Sequence, residues 1–479
     1  MNYGMVSYIL GWILKIEGVM LLLPAFIGLG YREPESIWYF VAAAISFVLG
    51  FFLALRKPRN RKVFAREGFV TVALAWLVMS LVGALPFTLC GDIPSYLDAV
   101  FETVSGFTTT GSSILREVES LAHCTLFWRS FTHWVGGMGI FVFMLAVIPL
   151  LGGSTFNLMK AESPGPVVGK FVPKIRDSAV ILYAIYLGIT VTLFLLLAMF
   201  GMPIFDAICH TFGTVGTGGF SVKNDSYASY APVLQVITTI FMILCGVNFQ
   251  LYFYLLARKF RLAFRMSEVR AYLGVIALSI GIITINIHSM YKTTGEALNY
   301  ASFQVGTIIT TTGYMTADYD LWPSLSKTIL VLLMIVGACA GSTGGGMKIS
   351  RMVLLLKTIK RELDSIIHPR HVRNIRFDKV PVADETVRNT NVYIAIYGVI
   401  LFGSMLLISV DNFDFTTNFT AVAATLNNIG PGLGAVGPTR NFADFSAFSK
   451  CVLIFDMLAG RLELFPVLLL LTPRSWKKY

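Results

Sequence analysis

DAVFETVSGFTTTG, residues 98–111, is an apolar stretch too short to cross a bilayer that runs into a Thr/Gly-rich turn. The same design recurs as DAICHTFGTVGTG at 206–218, NYASFQVGTIITTTG at 299–313 and NFTAVAATLNNIG at 418–430. The four turns read Thr108-Thr109-Thr110-Gly111, Val215-Gly216-Thr217-Gly218, Thr310-Thr311-Thr312-Gly313 and Asn427-Asn428-Ile429-Gly430. Their closing glycines lie 107, 95 and 117 residues apart, a fourfold repeat. Asp98, Asp206, Asn299 and Asn418 stand upstream as expected N-caps, because such side chains accept an otherwise unpaired backbone N–H. A helix of ~11 residues is ~16 Å long, half the hydrocarbon thickness. One such turn reads as an ordinary helix C-cap. Four copies in four like units need another reason, since irregular backbone at membrane depth survives only inside protein or along a water-filled path. Glycine lets consecutive carbonyls turn toward a common axis, and rings of carbonyls replace a cation's hydration shell. The repeat therefore points to a cation pore with its filter near the outer face.

The flanking sequence supplies the spans. Apolar runs at about 6–30, 36–55, 68–90, 125–151, 178–202, 231–257, 271–290, 324–356, 390–410 and 445–472 are each long enough to cross a hydrocarbon core of about 30 Å. With 55% apolar and 14% charged residues, the composition excludes a soluble globular protein and a disordered chain. The net charge of +11 suggests nucleic acid until its location is read. Most Lys and Arg fall in alternate links, around 56–66, 160–176, 258–270 and 357–388, and in the tail. Glu33, Glu35, Asp92, Glu117, Glu119, Asp225, Asp318, Asp320, Asp411 and Asp414 occupy the other links. By the positive-inside rule the basic links and both termini are cytoplasmic, so the charge is topology and no nucleic-acid partner is expected.

These residues resemble the superfamily of potassium transporters that includes TrkH, TrkG, KtrB and the plant HKT proteins. GACAGSTGGGMK (337–348), NNIGPGLG (427–434) and GRLE (460–463) look like TrkH signatures, and two extra spans before the first unit favour TrkH/TrkG over KtrB. The resemblance implies an all-α integral membrane protein with ten transmembrane helices and four re-entrant pore helices. Four M-P-M repeats would surround one pore, as in a K+ channel: 61–165, 166–262, 263–380 and 381–479, after two extra helices in 1–60. It implies K+ uptake across the bacterial inner membrane through a filter of Thr109, Thr110, Gly111, Val215, Gly216, Thr217, Gly218, Thr311, Thr312, Gly313, Asn428, Ile429 and Gly430. Glycine at all four closing positions implies K+ rather than Na+. The family also implies a homodimer within membrane lipid and a TrkA-type ring of cytosolic NAD- or ATP-binding subunits. K+ is the transported ion, with no organic cofactor in this chain.

The span at 324–356 contains Gly341, Ser342, Thr343, Gly344, Gly345 and Gly346. Three consecutive glycines cost a helix about 1 kcal/mol each relative to alanine, so a loop is expected. It is not a nucleotide-binding loop, because Met347 separates Gly346 from Lys348 and no soluble strand precedes it. By resemblance the loop lies across the pore below the filter as a gate. Arg461 would stand beside it, and Lys348 either acts likewise or snorkels to the boundary. Arg129 and His133 read as structural pairing, and Asp456 has no assigned role. His368 and His371 lack further ligands for a metal, and no nucleophile–base set suggests an enzyme. Cys90 and Cys124 both fall near the outer face, where the sequence leaves open a bridge or, as the preferred reading, two unrelated thiols. An ion-coupled symporter is the alternative, but four parallel units are not two inverted halves.

Overall fold

The computed structural model of the protein describes residues 1–56, 58, 64–139, 175–368, 374–378 and 380–476. Among these residues it is helical apart from one antiparallel hairpin, in which Arg376 and Phe377 pair with Pro381 and Val380. Helices α1 (Tyr3–Tyr31) and α2 (Ser36–Ala54) form an antiparallel pair ahead of the repeats. Then follow α3 (Ala65–Gly83), α4 (Leu85–Leu89), α5 (Tyr96–Phe107), α6 (His123–Gly137), α7 (Ile175–Met199), α8 (Ile204–Gly216), α9 (Pro232–Cys245) and α10 (Gln250–Leu256). The second half continues with α11 (Ser267–Ile287), α12 (Thr294–Ile309), α13 (Ser324–Val336), α14 (Ile349–Ile367), α15 (Asp384–Ile408), α16 (Phe415–Leu426), α17 (Ala447–Arg461) and α18 (Phe465–Leu471).

Six of these segments are long and apolar enough to cross a membrane, or seven if the bent pair α9–α10 counts as one. Four of the ten expected spans are not continuous helices over their described lengths. The run at 231–257 bends by 95° between α9 and α10. The run at 324–356 splits around residues 337–348, and the run at 445–472 breaks after Arg461, with Glu463 and Leu464 both at positive φ. The run at 125–151 is helical to Gly137, and its remainder lies outside the described residues. The runs at 231–257 and 324–356 are interrupted at glycines and the run at 445–472 breaks just after Gly460, each in the helix that follows a Thr/Gly turn. The freed backbone groups find partners: the Phe249 N–H donates to the Gly341 carbonyl at 2.9 Å and the Cys339 N–H to the Gly246 carbonyl at 3.0 Å. That exchange is what makes a broken helix tolerable inside a membrane protein.

The four short helices α5, α8, α12 and α16 exist as expected, but their N-caps are others. Ser95, Thr293 and Asp414 accept the capping N–H, and Pro203 precedes α8 without a side-chain cap. Asp98, Asp206, Asn299 and Asn418 lie inside the helices, the first three in tertiary contacts. Asp98 pairs with Lys450 at 2.7 Å, Asp206 accepts from the Tyr230 hydroxyl at 2.6 Å, and Asn299 donates to Gln235 at 2.7 Å. Asn418 donates to the Phe413 carbonyl at 3.0 Å. A capping residue type three to six positions into a helix is not distinguishable from a cap by composition alone.

In the α1–α2 turn, Glu33 accepts the backbone N–H groups of His123 and Cys124, at 2.7 and 3.1 Å, at the start of α6. Partial burial works against its charge, but these donors prevail and hold the carboxyl below its usual range. A lowered folded-state pKa stabilises the protein above the unfolded value of about 4.3 and is lost as pH falls through the folded one. Glu33→Gln is therefore expected to lower the melting temperature of detergent-solubilised protein at neutral pH. The gap from the parent should close below about pH 4; a gap independent of pH would refute the assignment.

Candidate filter and gating loop

The four turns have one local geometry. Thr109, Thr217, Thr311 and Asn428 each adopt the left-handed conformation, with φ of 55°, 55°, 58° and 55°. Each sends its N–H back three residues, and the next residue sends its N–H back five: Thr110 to Ser105, Gly218 to Gly213, Thr312 to Thr307 and Ile429 to Ala424. This is the Schellman end of a helix, with a β-branched or amide residue where glycine is usual. Threonine in that region is strained, and strain of this kind persists only where surrounding structure over-determines it.

The shared pattern corrects the register of the second turn. Gly219, at φ 79°, matches Gly111, Gly313 and Gly430 (79°, 91° and 97°), while Gly218 matches Thr110. Gly216 corresponds to Thr108, and Val215 lies within α8 in the position of Phe107. The closing glycines meet the carbonyls of the next turn in cyclic order. A Cβ on Gly111 would lie 2.0 Å from the Gly218 oxygen, on Gly219 2.0 Å from that of Thr312, and on Gly313 2.0 Å from that of Ile429. On Gly430 it would lie 2.9 Å from the Thr110 oxygen, which closes the ring. The four segments are buried, with only Gly111, Gly219 and Gly313 reaching partial exposure, and the Thr109 Oγ1 and Asn428 Oδ1 atoms have no hydrogen-bond partner. Uncharged oxygen donors crowded about one axis suit a hard, singly charged cation.

Side chains of α6 brace the first two turns. The Arg129 guanidinium pairs with Glu102 at 2.7 Å, both fully buried, and Glu102 also accepts the Ile114 N–H at 3.0 Å. His133 accepts the Phe220 N–H on Nε2 at 3.2 Å, so its Nδ1–H donates to the Gly106 carbonyl at 2.8 Å. Structural pairing was the expected role of Arg129 and His133. Glu102 was missed, although a carboxylate inside a half-membrane helix is a signal for a buried partner.

The loop 337–348 packs beneath the ring. The Gly345 N–H donates to Thr311 Oγ1 at 2.6 Å, and a Cβ on Gly345 would lie 2.5 Å from the Asn427 carbonyl oxygen. Gly344 stands nearly as close to the Thr310 carbonyl, at 2.9 Å from the same imagined atom. Gly341 and Gly346 are glycines for another reason, positive φ values of 69° and 79°. Ser342 donates to the Cys339 carbonyl at 2.6 Å and Thr343 to that of Cys245 at 3.2 Å. Lys348, itself at φ 75°, is buried and its ammonium donates to the Gly344 carbonyl, so it does not snorkel. Glu268, which sequence reasoning did not single out, moors the loop by accepting the Ala340 N–H at 2.6 Å.

Arg461 ties this loop to α6. It donates to the Thr343 carbonyl at 2.9 Å, to that of Gly137 at 3.0 Å and to that of Gly136. Glu463, two residues on, pairs with Arg351 on α14. A cavity of about 90 Å³ on the loop's side of the ring is lined by Gly341, Ser342, Gly344, Gly345, Lys348 and Arg461. An opening of about 200 Å³ on the other side is lined by Gly111, Gly219, Gly313 and Gly430. The loop lies between the cavity and the ring. Asp456, left unassigned by sequence, is buried and accepts from Ser404 at 2.7 Å. All six cysteines, Cys90 and Cys124 included, are free thiols, and His371 lies outside the described residues.

Comparison with known proteins agrees with this arrangement. Residues 35–478 match the family model described as TrkH, cation transport protein. The chain is 37% identical to the Trk system potassium uptake protein TrkH of Salmonella typhimurium and 36% identical to that of Escherichia coli, over the full length of each. It is 31% identical to the Trk system potassium uptake protein TrkG of Escherichia coli over 98% of both chains. The crystal structure of the potassium transporter TrkH from Vibrio parahaemolyticus superposes with a TM-score of 0.88 at 33% identity, covering both chains completely. The chain is therefore a membrane transport protein, not an enzyme, and belongs to the TrkH family of cation transport proteins.

Proposed function

We propose that the protein is the K+-translocating subunit of a potassium uptake system in the bacterial inner membrane, channel-like and driven by the membrane potential. That potential is worth about 2.3 kcal/mol per charge per 100 mV. The observation that carries the reading is the cyclic approach of each closing glycine to the next turn's carbonyl. The relatives' names, which specify potassium uptake, support the choice of ion. In this reading the filter is Thr109, Thr110 and Gly111; Thr217, Gly218 and Gly219; Thr311, Thr312 and Gly313; and Asn428, Ile429 and Gly430. Four M-P-M units, 61–165, 166–262, 263–380 and 381–479, surround the pore after two extra helices in 1–60. Ten helices cross the bilayer, several of them interrupted, and both termini are cytoplasmic.

The loop Gly341–Gly346 with Lys348 is the gate, and Arg461 is its latch, since it bonds Thr343 of the loop to carbonyls of α6. Two chains form a homodimer, and a TrkA-type ring of NAD- or ATP-binding subunits docks on the basic cytoplasmic links. The "Trk system" in the relatives' names is consistent with such a partner. The test is flux in liposomes with K+, Rb+ and Na+ in turn. K+ and Rb+ should pass and Na+ should not; Na+ flux equal to K+ flux would sink the selectivity, and a requirement for a Na+ or H+ gradient would favour a symporter.

A further inference from the structure

Glu17 stands midway along α1, fully buried, and neither of its carboxyl oxygens has a hydrogen-bond partner. A carboxylate stripped of water and given nothing in return is not stable at membrane depth, whereas the neutral acid tolerates that surrounding. The position of this group is informative. A Cβ on Gly83 of α3 would lie 3.0 Å from Glu17 Oε1, and 3.1 Å from both Phe107 Cε2 and Thr103 Cγ2 of α5. Glu17 therefore meets α3 and the last turn of α5 at one point, directly behind the turn that begins at Thr108. The Gly83 carbonyl accepts from the Trp128 indole at 2.9 Å, which joins α6 to the same junction. Ser80, one turn earlier on α3, carries another buried hydroxyl without a partner.

Among the described residues, no charged group on the packed elements is committed to Glu17. Lys15, on the same helix, lies over the rings of Trp12 and Phe51 at 4.8 and 5.4 Å. On α2, Tyr39 donates to Thr125. On α3, Arg66 and Glu67 stand near each other at the far end. On α5, Asp98 is held by Lys450 and Glu102 by Arg129. On α6, His123 is bound to Glu33 and His133 to Gly106, and Cys124 packs near Gly28 at the end of α1.

We infer that Glu17 is a proton-binding site inside the membrane, and that the protonated carboxyl positions α3 and α5 so that loss of its proton disturbs the first filter strand and stops conduction. The O–H bond of the acid breaks, the proton leaves to water, and a charge remains that draws solvent into a packed junction. Occupancy of the site stands apart from the transport reading, while its effect on conduction rests on that reading.

The experiment uses the full chain in liposomes. An infrared difference spectrum between the parent and Glu17→Gln at neutral pH should contain a protonated-carboxyl band that the variant lacks. Labelled glutamate should shift that band, which separates it from Asp456, and raising the pH should titrate it away. K+ flux of the parent should fall with the same midpoint, by about tenfold per pH unit beyond it, while Glu17→Gln, neutral and of like shape, should hold its flux. Absence of a glutamate band overturns the proton site. An unchanged alkaline decline in Glu17→Gln overturns the link to conduction. If no variant carries K+, the transport reading fails, and the band alone decides the proton site. If Glu17→Gln does not fold, the same difference spectrum taken against Glu17→Leu decides the proton site in its place.

Discussion

Alanine in place of Gly111, Gly219 or Gly313 is expected to reduce K+ flux by about 100-fold or more, the scale of loss that a ~1 Å misplacement produces in a reacting centre. Each added Cβ would fall 2.0 Å from a carbonyl oxygen of the adjoining segment, so backbone must move. The positive φ values add strain that alanine cannot relieve. Gly430→Ala is expected to be milder, within about tenfold of the parent, because its nearest oxygen would be 2.9 Å away. Tracer flux in liposomes, with elution profiles to confirm folding, would measure the series. Equal loss at all four positions would contradict the geometric ranking. Full flux in Gly219→Ala would return the second turn to the register that ends at Gly218.

Arg461→Ala is expected to raise conduction in the absence of any regulatory subunit by about 10–150-fold. The guanidinium is the link between Thr343 and the α6 carbonyls, and a hydrogen bond to a charged donor is worth about 1.5–3 kcal/mol. Losing one such bond shifts a closed–open balance by that factor. Arg461→Lys should be nearly as leaky, since a single ammonium does not reproduce a planar fork spanning three carbonyls. Single-channel recording or dilution-driven uptake would read the change. A variant that conducts and gates as the parent does removes Arg461 from the gate.

The repeat was legible because hydrophobic length and turn composition are local properties. Four short apolar stretches ending in Thr and Gly announce themselves without any tertiary contact. The loop at 337–348 was legible for the same reason, since glycine triplets are poor helix. What the sequence left ambiguous depended on partners elsewhere in the chain. Gly218 and Gly219 are neighbours of one residue type, and only the hydrogen bond from Gly218 to Gly213 decides which of them closes the turn. The bend between Cys245 and Gln250 exists because the loop supplies partners for Gly246 and Phe249, and nothing in residues 231–257 reveals that. Arg461 was recognisable as an expensive residue, but its acceptors are backbone carbonyls, which carry no sequence signal. Glu463 shows the same limit, since its partner Arg351 lies 112 residues away and nothing in the sequence joins the two.

The four short helices all end at the ring, and that orientation has an electrical consequence. Each helix C-terminus carries roughly half a negative elementary charge from its aligned peptide dipoles, so four together place about two negative charges around one axis. No ionisable side chain belongs to the proposed filter segments themselves. An attractive field made this way does not titrate. A ring of carboxylates would lose its pull in acid, whereas aligned peptide groups hold theirs at any pH at which the helices stay folded. The proposed filter then adds no pH dependence of its own, and the buried acid on α1 is placed to supply one.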